Sequence, residues 1–331
     1  MPRGSTIAFS LINNDIRSVE TDVIAMKYAQ SFFGADAAIA MALESAGVPT
    51  DQLRLKVGEH IMIESRRAVS ASKVLFVGVP QLYEFRYQQI REFSARVLEI
   101  LAVVAPQTRR LAMTLHGPNY GLDAIECASR QLDGYRDALT RGTYPSSLRS
   151  TAIIERDSSR MELLSAYFQE QFSNAPTPPD FIKQKNVWPI VVSFNEERPV
   201  LKATQITSAD IPQGSSGAEK ATIFVAMPFA KEMRDIWTFG IYQTVRNAGF
   251  LCERMDEEVF IGDVVERMKK RIEAADFVIA DLTGGESKRV SRSRVRMGPR
   301  SADGSSIQTG ERQEKRKGPA FRRSRTTVHI V

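Results

Sequence analysis

Short apolar stretches alternate with longer segments of helical periodicity almost from the first residue, and nothing else in the sequence restricts the fold as much. "STIAFSL" (5–11), "TDVIAMK" (21–27), "HIMIES" (60–65), "KVLFVGV" (73–79), "RLAMTL" (110–115) and "STAIIE" (150–155) are short, apolar and bounded by polar or turn residues, the pattern of strands. Between them, Ile90, Phe93, Val97, Leu98 and Ile100 recur at near-helical spacing over 87–104, as do Ile125, Ala128, Leu132 and Tyr135 over 122–139. Strands alternating with helices predict an α/β sandwich. In such folds ligands sit beyond the carboxyl ends of the strands, where backbone N–H groups and helix N-termini can receive phosphates.

Two loops qualify for that role. In "SFFGADAAIAMAL" (31–43), Gly34 and the small residues after it open a helix and permit close backbone approach. In "LHGPNYGLD" (115–123), Gly117 and Gly121 lie between a strand and a helix. Each also fits a plain turn feeding a helix.

The order of these pieces resembles the macro domain, the fold that binds ADP-ribose and related nucleotides. "NNDIRSVETDVIA" is similar to the family's opening, "FGADAAIA" to its small-residue loop and "GPNYGLD" to its phosphate-gripping loop. The resemblance spans about 5–155. It implies that Asp15 contacts an adenine with Ile16 beside it. It also implies that Gly34, Gly117, Asn119, Tyr120 and Gly121 line the diphosphate and distal ribose. "MKYAQ" stands where the family's hydrolases carry an asparagine, and their glycine triplet is missing. Binding, not hydrolysis, is the expected role of residues 1–155.

Pro, Ser and Gly gather in 156–218, in "SNAPTPPD", "EERP" and "IPQGSSGAEK", as in linkers. One helix near Arg160–Phe172 and one strand, "WPIVVSF" (188–194), are expected to interrupt that linker. A second module follows over 219–284. "ATIFVAMPF" (221–229), "LCERMDEE" (251–258) and "DFVIADLTG" (276–284) read as strands. Residues 233–250 read as a helix with Ile236, Phe239, Tyr242 and Val245 on one face. Residues 262–275 read as an amphipathic helix with Asp263 at its start. The pattern β-α-β-α-β is half of a parallel, flavodoxin-like sheet.

This second stretch resembles the TIR-like proteins related to nucleoside 2-deoxyribosyltransferases, which cleave N-glycosidic bonds of nucleosides or NAD. That resemblance implies nucleotide contacts from Met227, Pro228 and Phe229, and places Asp256 and Asp281 at strand ends facing the site. A solvated loop acid and a turn cap are the plainer alternatives for the two aspartates. The chemistry needs a carboxylate at the anomeric carbon. The family supplies it as a glutamate just beyond "ADLTG", where this chain reads "ESKRVSRSRVRM".

Of 45 Lys+Arg and 39 Asp+Glu, residues 285–331 hold 13 and 4, leaving 32 and 35 for the rest. The basicity is confined to the tail, and the body gives no electrostatic reason to bind nucleic acid. Dropping one base from synonymous codons for Glu286 onward can yield N-P-N-V-Y-L-E-V-G-Y-A-W-G, the missing family segment. Its glutamate falls where Arg292 stands. The expectation is therefore a frameshift near Gly284–Gly285, an out-of-frame basic tail without structure, and loss of glycosidase activity in the chain as written. An intact relative would be an NAD glycohydrolase or a deoxyribosyltransferase-like N-glycosidase, with a setting in bacterial defence implied by the resemblance alone. A non-catalytic nucleotide sensor and a nucleic-acid-binding basic arm are the competing readings.

Cys127 and Cys252 form neither a disulfide framework nor a zinc spacing, which suits a reducing, cytoplasmic setting. His60, His116 and His329 make no ligand pair, and no apolar run reaches membrane-span length. The expected ligand is a small nucleotide of the NAD or ADP-ribose type, with no required cofactor, no metal and no membrane partner; self-association is left open.

Overall fold

A computed structural model describes residues 5–175, 177–192, 220–228, 230–255, 264–281 and 327–330. The chain divides into two compact units, Met1–Ser215 and Ser216–Val331. Both are α/β, as the alternation requires. Among the described residues no helix is long and apolar enough to cross a membrane.

The first unit holds a seven-stranded sheet. Its strands are β1 (Ser5–Asn13), β2 (Val23–Tyr28), β3 (His60–Glu64), β4 (Lys73–Gly78), β5 (Arg110–Thr114), β6 (Ser150–Glu155) and β7 (Val187–Val192), in the order β3-β4-β2-β5-β6-β1-β7. The five inner strands are parallel, and β3 and β7 run antiparallel at the two edges. All six residues of β2 are buried, which explains its unbroken apolar run: a central parallel strand is covered on both faces.

Helix α1 (Gly34–Ser45) covers one face, packing Ile39 and Leu43 against Ile24, Met26, Val74 and Phe76. Helices α2 (Tyr87–Val104), α3 (Ala124–Arg141) and α4 (Ser158–Gln171) belong to the other face, where Phe9 meets Phe168 edge-on at 5.1 Å. A Cβ at Gly134 would lie 2.1 Å from Arg91 O, so α2 and α3 cross backbone to backbone there.

The segment expected as a linker is corrected by this architecture. Helix α4 and strand β7 are structural parts of the first unit. Phe168 and Trp188 bury beside Phe9, with ring centroids 5.1 to 6.0 Å apart, and β7 hydrogen-bonds along β1 from Ser5↔Val192 to Ser10↔Val187. Without them the apolar face of β1 would lie open to water.

The second unit contains β8 (Thr222–Ala226), β9 (Leu251–Arg254), β10 (Phe277–Ala280) and β11 (Thr327–Ile330), all parallel, in the order β11-β10-β8-β9. Helix α6 (Val264–Ala274) packs Met268 and Ile272 onto Phe224 and Val278. The expected helix over 233–250 is instead a π-helix, Ile236–Tyr242, running into the short α5, Gln243–Asn247. An i→i+5 ladder breaks the i, i+3 stripe read from the sequence. Tyr242 and Val245 are buried, but Ile236 and Phe239 are 46% and 64% exposed.

Strand β11 is a second correction. Four residues of the supposedly unstructured tail pair with β10 from Phe277↔Thr327 to Ala280↔Ile330. An edge strand offers unpaired backbone groups, and pairing with them requires only an extended neighbour. The other expectations for the tail, including the position of Arg292, lie outside the described residues.

Candidate functional site

Because β1, β2, β5 and β6 are parallel, the loops leaving them emerge on one edge of the sheet. That edge gathers every sequence-predicted residue of the first unit: Asp15 and Ile16 after β1, Gly34 after β2, and Gly117, Asn119, Tyr120 and Gly121 after β5. The strand order places the exits of β2 and β5 side by side, and that of β1 two strands from β5.

The loop after β5 is set by its glycines. Gly117 and Gly121 have φ of 112° and 92°, which side chains disfavour. A Cβ at Gly117 would come 2.3 Å from Cys127 Sγ, so the loop lies directly on α3. Pro118–Tyr120 form one 3-10 turn that buries Tyr120 and leaves Asn119 exposed. Asn119 Oδ1 accepts from Arg160 at 2.9 Å, and the same nitrogen of Arg160 reaches Glu155 Oε2 at 2.9 Å. The loop is thereby tied to the end of β6 and the first turn of α4.

Among the described residues four α-helices begin on this edge, α2 among them, whose Tyr87 hydroxyl accepts from Asp123 N at 3.0 Å. Asp123 caps α3 and Asp157 caps α4, accepting from Glu126 N at 2.9 Å and Arg160 N at 2.8 Å. The N-cap of α1 is Phe33, which supplies no side-chain acceptor. Gly34 follows it with φ 49°, is exposed, and has open space where a Cβ would point.

Asp15 is already engaged. Its carboxylate takes a fork from Arg17 at 2.8 and 3.0 Å and the Arg17 backbone N–H at 2.9 Å, with Arg156 at 3.6 Å. The Arg17 hydrogen bond, opposed by partial burial, holds its pKa down at about 2. The expected adenine contact therefore requires Arg17 to share that carboxylate. Ile16 packs into the core at 4% exposure.

Sequence reading missed a buried ion pair here. Lys27 on β2 and Asp36 in the first turn of α1 bond to each other, and Asp36 Oδ1 also accepts from Lys27 N at 3.3 Å. Burial pushes Asp36 upward, with Lys27 opposing. A charge inside the run "VIAMKYA" was the available signal, since a buried lysine needs a partner close by. His116, for which a ligand contact and a structural role were both open, is 2% exposed. It stands edge-on to Phe93 and Phe85 at 5.0 and 6.0 Å, and Nε2 has no hydrogen-bond partner. Burial, then the Lys27 charge, lowers its pKa well below the usual value.

In the second unit Met227, Pro228 and Asp281 occupy the carboxyl ends of β8 and β10, and Asp281 N donates to Ala226 O at 2.8 Å. Phe229 and Asp256 lie outside the described residues.

No family model and no curated protein matches the chain. Among solved structures it is similar to the Oceanobacillus iheyensis macrodomain with MES bound, at 16% identity and TM-score 0.36, covering 51% of this chain and 100% of that one. It is also similar to the Trypanosoma brucei macrodomain in complex with ADP-ribose, at 13% identity and TM-score 0.37, covering 48% and 68%.

Proposed function

We propose that the first unit binds a nucleotide of the ADP-ribose type at the carboxyl edge of its sheet. The observation that carries this reading is the Gly117–Gly121 loop. Two left-handed glycines hold it between a parallel strand and a helix N-terminus, next to the exposed Gly34 turn. Such a loop presents backbone N–H groups to phosphates, and helix N-termini favour negative charge. In "MKYAQ", where the resembled hydrolases carry an asparagine, Lys27 is instead held in a buried pair with Asp36, in keeping with binding over hydrolysis. Calorimetric titration of the full chain with ADP-ribose tests this. We expect saturable binding, weakened at least tenfold by Gly34→Val, whose side chain enters open space over the turn. No binding, or equal affinity in the variant, refutes it.

For the second unit the reading is cleavage of an N-glycosidic bond in a frame-restored chain. It rests on the resemblance of 221–284 to TIR-like and deoxyribosyltransferase-like proteins and on the parallel strands that carry Met227, Pro228 and Asp281 to one edge. NAD turnover by the frame-restored chain, lost with alanine at position 292, is the expected result. Equal inertness of both leaves the sensor reading in its place.

A further inference from the structure

One edge of the first unit's sheet stands open. Strand β3 is the outermost on its side and pairs only with β4 among the described residues. The bonds that flank it fix which way its backbone faces. Ser65 N donates to Ser72 O at 2.9 Å, and Gly78 N donates to Glu59 O at 2.8 Å. In an antiparallel ladder the residues that face the partner alternate. Residues 59, 61, 63 and 65 therefore turn their backbone groups to β4, and His60, Met62 and Glu64 turn theirs outward. Edge strands are commonly blunted by proline, a bulge or an inward charge. β3 reads HIMIE and pairs from His60↔Val77 to Glu64↔Lys73 without a bulge. The other edge is treated differently. There Leu11 N donates to Asn186 O at 3.0 Å, which turns 187, 189 and 191 outward, and residue 189 of β7 is a proline.

The sequence of β3 is complementary to itself. A second β3 laid antiparallel about Met62 sets His60 opposite Glu64 of the other copy and Ile61 opposite Ile63. An imidazole meets a carboxylate at each end, and apolar side chains meet between them. Glu64 holds Lys73 at 2.9 Å but is 68% exposed, and a carboxylate has lone pairs for both partners. Ile61 and Ile63 pack against the α1 side of the core yet stay only partly buried, so a neighbour covers apolar surface there. The parity closes as well. Outward residues 60, 62 and 64 fall opposite outward residues 64, 62 and 60, and every N–H on the edge finds a carbonyl. A slip of one residue sets outward groups against inward ones and turns the two copies' faces over. A slip of two moves His60 opposite Met62 and breaks the charge match.

We propose that β3 is a self-association surface, at which two copies of this chain join their sheets by antiparallel β3–β3 pairing centred on Met62. The contact is isologous, residue i meeting j and j meeting i, so it closes at two copies. Because the joined strands are antiparallel, the inner strands of the two copies are too, and their carboxyl edges point in opposite directions. The pairing therefore leaves both Gly34 and Gly117 loops outside the contact. β3 is five residues long, well short of the roughly 20–30 residues a side of a standard interface, so the association is reversible and concentration-dependent. It does not depend on the nucleotide reading of either unit.

Sedimentation equilibrium of the full chain across the micromolar range should show a reversible monomer–dimer step. Met62→Pro removes an outward N–H and no bond to β4, so it should keep its circular dichroism spectrum and weaken dimerisation at least tenfold. Met62→Lys sets two ammonium groups across the two-fold axis. It should have the same effect, and it carries the comparison if the proline variant unfolds. Cysteines read the register. Met62→Cys should cross-link to its own copy on mild oxidation, because directly paired Cα atoms lie within disulfide reach. His60→Cys, four residues out of register with itself, should not. The native Cys127 and Cys252 are buried, and the unsubstituted chain sets the background. A monomer at every concentration, a dimer undiminished in the folded Met62 variants, or cross-linking of His60→Cys in place of Met62→Cys overturns the proposal.

Discussion

His116 shows how one residue next to a ligand loop can be structural in its energetics. Enclosed by Phe85 and Phe93, it stays neutral because protonation would place a second cation near Lys27 in a dry interior. Its folded pKa lies below its unfolded value near 6.5, so the unfolded chain takes up the proton first. The stability it contributes is complete above that value and lost as pH falls below it, by up to about 1.4 kcal/mol per pH unit. Urea melts at pH 7.5 and 5.5 should show this loss in the native chain and little of it in His116→Leu. Asp15 acts in a lower window. Its pKa of about 2 lies under its ordinary value, so its contribution is present above that value and disappears as pH falls toward 2. Lys27 and Asp36 differ from both. Asp36→Ala strands a buried ammonium, and we expect a loss of about 3–5 kcal/mol, measurable by denaturant titration. The double variant Lys27→Met, Asp36→Leu should recover most of it.

At the scale of elements, the spacing of apolar residues was sufficient to place α2 and α3, since Ile90, Phe93, Val97, Leu98, Leu132 and Tyr135 are all buried. What spacing could not disclose is how near the two helices come. Gly134 allows that approach, with Arg91 forking Asp137 at 2.6 and 2.8 Å beside it. Gly134→Val forces the helices apart and should cost about 1–3 kcal/mol, read as a lower thermal midpoint. The π-helix marks the limit of periodicity arguments. Residues 233–250 carry a normal 3.6-residue stripe, yet the ladder that formed exposes Phe239 and sets Trp237 against Tyr242, five residues on, with the rings tilted and their centroids 5.5 Å apart.

At the scale of the molecule, the boundary of the first unit follows from burial and not from composition. Residues 156–218 read as a linker because Pro, Ser and Gly gather there, but α4 and β7, within 156–192, close the face of β1. A chain ending at residue 215 should melt cooperatively. One ending at Glu155 should aggregate, because it bares Phe9 and the hydrogen-bonding edge of β1. Light scattering and a thermal melt of the two distinguish these outcomes.

The sequence by itself determined the α/β class, the strands of both sheets up to β10, and the loops around Gly34 and Gly117, because these depend on local periodicity and on glycine at turns. Tertiary structure alone decided the rest. The reach of the first unit to β7, the pairing of β11, the Lys27–Asp36 bond and the Arg17 fork on Asp15 all join residues through strand order and burial. Those contacts are settled only when the chain closes around them, since a buried charge or a bare strand edge must find its partner in space wherever that partner lies in sequence.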